Sequence, residues 1–211
     1  MRRVQSGRIA GALLTLAALV SPHPGGSHAE AAPAAKAVPH DGPFGIAMGE
    51  PLADLGPVEK APSNGYKVLK PPRPNDAFRL IIVQAFRTTG VCEIFASQYF
   101  EDDPNAQKAI QATDSLADSL KEKYGPYTKV DTCSGDDASC RDLFTAELNE
   151  QAAKYGYGWD FTGKVRDDKI WRVALAVTAL NGTTSIMGLA YWSANQEACD
   201  AAERAANASS L

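Results

Sequence analysis

Two stretches of the chain run strand, turn and returning strand in immediate succession, and this limits the fold more than any other feature. Residues 78–86 are rich in β-branched and aromatic side chains, 87–90 carry a turn signal, and 91–98 return. Residues 170–179, 180–184 and 185–192 repeat the scheme, with Asn181-Gly182 supplying a strong hairpin-turn dipeptide. A helix is predicted after each hairpin. The first starts at Asp103-Pro104 and runs to Tyr124, where Gly125-Pro126 stops it. The second starts at a capping box formed by Ser193 and Gln196. A short helix with Met48, Leu52 and Leu55 on one face precedes the first hairpin. Another, from Arg141 to Tyr155 with Phe144, Leu148, Ala152 and Tyr155 on one stripe, precedes the second. The fold class read from this order is α+β: two similar halves, about 44–130 and 141–207, each a helix plus antiparallel sheet, with helices on one face of the sheet and two disulfides. In 170–179, alternation places Trp171, Val173, Leu175 and Val177 on a core face. Ile170, Arg172, Ala174, Ala176 and Thr178 then form a flat opposite face.

The N-terminus reads as an address. Arg2, Arg3 and Arg8 precede an apolar run over 9–20, then a stretch with Pro22 and Pro24, and Ser27 and Ala29 stand at the small-residue cleavage positions. Residues 1–29 are thus a signal peptide, and the apolar run is too short for a permanent membrane span. The Ala/Pro-rich residues 30–43 form a linker, and 44–211 form one domain. The expected location is periplasmic or secreted. Loss of the three arginines leaves 18 basic against 25 acidic residues, a net charge of −7. Such a balance repels nucleic-acid phosphate.

All three histidines, His23, His28 and His40, precede the domain. Histidine-dependent nucleophilic catalysis, histidine-ligated zinc and histidine-ligated haem therefore have no residue to work with inside it. No nucleophile motif replaces them, so no catalytic residue, metal ligand or cofactor is assigned. The acidic cluster Asp131, Asp136 and Asp137 lacks any EF-hand spacing and reads as a solvated loop.

Cys92, Cys133, Cys140 and Cys199 are an even set in an exported chain, which argues for two disulfides. Of three connectivities, Cys133–Cys140 with Cys92–Cys199 is favoured, because the first pair brackets a short polar loop. The spacings match no zinc knuckle. The stretch 155–161 interleaves Tyr155, Tyr157, Trp159 and Phe161 with glycines and serves either as a core-edge plug or as an exposed recognition loop. Tyr155, Tyr157, Trp159, Arg172 and Thr178 are the candidate partner-binding residues.

Residues 44–56, from Phe44 through Met48, Leu52 and Leu55 to Gly56, followed by helix-and-sheet units occurring twice, resemble the tandem modules of β-lactamase-inhibitor-protein-like domains of bacterial envelope and secreted proteins. That resemblance implies a concave antiparallel sheet, backed by helices, that binds another protein; no binding residue is carried over. The expected function is a non-catalytic protein-binding or inhibitory module whose partner lies in the cell envelope or outside the cell. The alternatives are an envelope structural or assembly component and a carboxylate-dependent hydrolase.

Overall fold

The computed structural model describes residues 41–61, 65–133, 154–164 and 166–208, together with Phe144 and Leu148. All belong to the compact unit Ala34–Leu211. Eight strands form one antiparallel sheet: β1 (Val58–Lys60), β2 (Tyr66–Val68), β3 (Leu80–Phe86), β4 (Gly90–Phe100), β5 (Thr128–Asp131), β6 (Tyr155–Asp160), β7 (Ile170–Asn181) and β8 (Thr184–Ser193), in the order β1-β2-β3-β4-β8-β7-β6-β5. The described α-helices are α1 (Gln107–Tyr124) and α2 (Gln196–Ala208). Phe144 and Leu148 are also helical and are buried; the rest of the expected 141–155 helix, through 153, lies outside the described residues, and Lys154 is not helical.

Both hairpins form where the sequence places them. The second closes at Asn181, whose side-chain carbonyl accepts the backbone amides of Thr183 and Thr184 at 2.9 Å each. This side chain takes the place of a backbone partner in the turn. The two hairpins join through β4 and β8, paired from Glu93–Trp192 to Phe100–Ser185. The start of β4 also holds the N-terminal segment: Val91 N–H donates to Glu50 O at 2.9 Å and Gly49 N–H to Val91 O at 2.8 Å. Gly90 is required there. Its φ is +67°, and a Cβ would fall 2.2 Å from the Gly49 carbonyl oxygen.

The sheet face under α1 carries the core. Ile94, Val173, Leu175, Met187, Leu189 and Trp159 are at most 2% exposed. Burying each such side chain contributes about 1.5–3 kcal/mol before chain entropy is subtracted. Ala109, Thr113, Ala117, Leu120 and Tyr124 form the buried stripe of α1.

Several expectations are corrected. The helices do not share one face. Asp114 of α1 accepts hydrogen bonds from Tyr155 and Tyr157, whereas Glu203 of α2 acts electrostatically on Glu93. Glu93 belongs to the row Gln84–Glu93–Trp192–Arg172–Asp160, one residue out of step with the tyrosines and so on the opposite face. The short helix over Met48 to Leu55 is only a single 3-10 turn, Leu52–Asp54, although Met48 and Leu55 are buried as expected. Asp103 does not start α1 directly. Its carboxylate caps from a distance, accepting Lys108 N–H at 3.0 Å and Ala109 N–H at 3.2 Å, while Ala106 turns through φ +55°. Tyr155 opens a strand instead of ending a helix, because Tyr, Trp and Gly alternate there with period two. A register shift between Ile170 and Arg172 removes Trp171 from the core alternation; Ile170 is fully buried instead, and the Trp171 indole N–H donates to Gln196. Gln196 itself opens α2, so it does not complete a capping box with Ser193.

The disulfide between described cysteines is the long one, Cys92–Cys199, tying β4 to α2. The proposed Cys133–Cys140 bridge involves Cys140, which lies outside the described residues, and no described cysteine is a free thiol. Asp136 and Asp137 also lie outside them.

Candidate binding groove

On the face turned away from α1, the rows crossing β5, β6 and β7 are Thr128–Gly158–Ala174 and Val130–Gly156–Ala176. Small side chains continue into β8 as Ala190 and Gly188. Inward positions of these strands bear Tyr, Trp, Val and Leu, while the outward positions at the centre of β6 and β7, Gly156, Gly158, Ala174 and Ala176, bear nothing beyond a methyl group. Glycine inside a strand costs about 0.5–1 kcal/mol relative to alanine, so the outward face of β6 is flat at a cost in stability. The result is a groove of about 530 Å³. Gly156, Gly158, Ala174 and Ala176 form its floor. Thr128 and Val130 line its open side, on the outermost strand β5, where Val130 is 47% exposed. Toward the sheet centre, the Phe95 ring lies over Gly188, 3.0 Å from where a Cβ would stand.

One end of the groove is polar and the other is mixed. At one end Asp160 and Arg172 are directly paired across β6 and β7. The Asp160 carboxyl is held below its usual value, first by the Thr162 hydroxyl, then by the Thr162 amide, with Arg172 adding a weaker attraction. The Arg172 guanidinium sits 5.3 Å over the Trp192 ring, which fixes a planar cation at the groove mouth. At the other end stand Thr178, Lys154 and Leu148.

The aromatic stretch serves the other face. The Tyr155 and Tyr157 hydroxyls each donate to Asp114 Oδ1 at 2.6 Å, and the Trp159 indole N–H donates to Gly125 O at 2.9 Å. Burial, followed by the carboxylate of Asp114, pushes both tyrosine hydroxyls above their ordinary range. Lys129 lies 4.9 Å and 5.4 Å over the two rings. These groups fasten α1 and β5 onto β6. Of the five partner-binding candidates, Arg172 and Thr178 are therefore exposed in the groove. Tyr155, Tyr157 and Trp159 line it through their strand, with their rings buried on the far side. Thr128, Val130, Gly156 and Gly158 were missed by residue-type reasoning. The Tyr-Gly-Tyr-Gly-Trp alternation is the signal that finds them, since it sets every glycine on one face of a strand.

Among the described residues no group of three or more His, Cys, Asp or Glu side chains is placed to hold a metal ion, and no described helix is long and apolar enough to cross a membrane. Fold and groove together define an α+β protein whose eight-stranded antiparallel sheet carries a groove over β5, β6 and β7. Comparison with protein-family models, curated proteins and solved structures finds no match.

Proposed function

We propose that this chain is an exported, non-catalytic module that binds another protein through the glycine- and alanine-floored groove of β5, β6 and β7. The observation that carries the reading is the pairing of a flat apolar floor with a fixed polar end formed by Arg172 and Asp160. The floor lets a partner's backbone or side chains approach closely, and Arg172 and Asp160 orient it. A disulfide between β4 and α2 suits an oxidising compartment outside the cytoplasm. The strand order also supports an approximate duplication. β1 to β4 and β5 to β8 are two four-stranded runs meeting at β4–β8, and a helix follows each. This is the arrangement implied by a resemblance to β-lactamase-inhibitor-protein-like modules, with the sheet as recognition surface.

The test uses Gly158→Trp. A Cβ at Gly158 meets nothing within 4 Å, so a side chain can start into the groove there without a backbone clash. The processed protein is expected to hold a stoichiometric protein partner recovered from envelope or medium, with affinity falling at least about tenfold, or about 1.4 kcal/mol, in Gly158→Trp and in Arg172→Glu. Equal affinity in both variants would place the partner elsewhere and end the reading. Mass spectrometry of the mature N-terminus tests export: a chain retaining Met1 in the cell interior contradicts it.

A further inference from the structure

On the α1 side of the sheet, the face opposite the groove, a second hollow of about 280 Å³ lies between the N-terminal segment, the loop before β3, the end of α1 and β8. Four of its lining residues are rings that touch in sequence. Phe78 meets Phe44 edge-on at 5.6 Å, Phe44 meets Tyr191 edge-on at 6.4 Å, and Tyr191 meets Tyr124 at 6.2 Å. Leu116 and Leu120 of α1 add to the apolar wall. The charged residues of the lining are Arg73 and Lys123, and both are cations. In a chain of net charge −4, a hollow lined by two cations and no carboxylate runs against the overall balance and favours an anion.

The wall is held in place at a cost to the backbone. Phe44 has φ +57°, in the left-handed region, which an aromatic residue adopts only where its surroundings impose it. The turn around it is closed by Gly45 N–H donating to Gly42 O at 3.1 Å and Ile46 N–H donating to Pro43 O at 2.9 Å. Arg73 N–H donates to Phe44 O at 2.9 Å, so one hydrogen bond joins an aromatic wall residue to a cationic one. The Arg73 guanidinium approaches Asp41 at 3.5 Å, with both side chains largely in solvent. Such a pair is weak, and one contact does not saturate a guanidinium with five donors. Lys123 Nζ lies 5.0 Å from the centre of the Tyr124 ring, which keeps the ammonium beside the aromatic wall.

We propose that this hollow binds a small aromatic carboxylate, with the ring against Phe44, Phe78, Tyr124 and Tyr191 and the carboxylate on Arg73 and Lys123. Aromatic walls set edge-on to one another accept a further ring in the same geometry. A guanidinium forks onto a carboxylate through two parallel hydrogen bonds, and an ammonium adds a point charge. The volume is at the lower end of the range for small-molecule sites, which suits an acid with a single ring. The site shares no lining residue with the groove, so either can fail while the other stands.

Titration of the purified chain with phenylacetate, phenylacetamide and phenethylamine, followed by amide NMR shifts, tests it. Phenylacetate is expected to saturate with Kd on the order of 0.1–1 mM, as befits so small a ligand. Phenylacetamide, of the same shape without the charge, should bind at least about tenfold more weakly, and phenethylamine more weakly still. The amides of Phe44, Arg73 and Lys123 should shift, and those of Gly158 and Ala174 should not. Arg73→Glu and Lys123→Glu should each weaken phenylacetate binding at least about tenfold; both side chains are exposed, so neither change disturbs the core. Gly158→Trp, which blocks the groove, should leave Kd unchanged. If a charge variant fails to fold by circular dichroism, the ligand comparison and the shift map on the wild-type chain decide alone. No saturation by about 10 mM phenylacetate, equal affinity for phenylacetamide, indifference to both charge reversals, or shifts confined to the groove overturns the proposal.

Discussion

Removal of the Cys92–Cys199 bridge should lower stability through the unfolded chain more than through the native fold. The bridge joins residues 107 apart in sequence. In the chain-entropy model a loop of that size, once released, adds freedom to the unfolded state worth about 4.8 kcal/mol at 25 °C. For a unit of this size each kcal/mol moves Tm by about 2–4 °C, so Cys92→Ala with Cys199→Ala should melt about 10–19 °C lower than wild type. Both cysteines are nearly fully buried, and loss of the two sulfurs subtracts some packing as well. The two contributions are separable by urea denaturation. Lost packing lowers the midpoint at constant slope, whereas an expanded unfolded chain also raises the slope m. The expected outcome is a lower midpoint with a larger m. A Tm drop below about 3 °C, or a drop of the full size with m unchanged, would refute the claim that the bridge acts chiefly on the unfolded state.

The two strand glycines of β6 should respond oppositely to the same substitution. A Cβ at Gly156 would lie 2.4 Å from the Leu175 oxygen and 2.9 Å from the Ala176 Cα, so Gly156→Ala should cost about 1–3 kcal/mol. Gly158→Ala should be neutral or stabilise by up to about 1 kcal/mol, and thermal melts of both variants check the contrast. Asp114→Ala removes the acceptor of two buried phenols and should cost about 1.5–3 kcal/mol by urea denaturation, with Asp114→Asn losing less because its carbonyl still accepts. The Glu93 carboxyl is raised above its ordinary 4.5 by burial and then by Glu203. The native state therefore holds this proton more tightly than the unfolded state, and the site's penalty is absent below the unfolded value and complete above the native one. Glu93→Gln should accordingly raise Tm at pH 7 and leave it unchanged near pH 4. Glu203→Gln should give a smaller gain at pH 7, about 0.2–1 kcal/mol; equal effects at both pH values would contradict the assignment.

Local signals carried far where pattern and packing agree. Asn181-Gly182, the alternation of Val173, Leu175 and Val177, and the helical spacing of Ala109, Ala117, Leu120 and Tyr124 each name an element and the face it buries. The readings failed where tertiary contact decides. β1, β2 and β5 have three or four residues each, too few to show a period, and they exist because a longer neighbour pairs with them. Tyr155 matches a helical stripe and a strand alternation equally well, and pairing with Val177 settles the choice. The side of the sheet that α2 occupies follows from a bulge between Gln84 and Ala85 and from a disulfide reaching across sequence, neither of which a local window contains. In the groove, Arg172 and Thr178 were legible from the outward phase of β7. Its floor was harder to see, because what makes it a groove is missing side chains.

The middle of the sheet is a seam between distant parts of the chain. Glu93 to Phe100 pair with Ser185 to Trp192, so β4 cannot gain its second neighbour until almost the whole polypeptide has emerged. Up to then the first four strands end in an unprotected border of Ile94, Ala96 and their neighbours, open to any passing strand. A chain built this way assembles late and slowly, as long-range pairing demands.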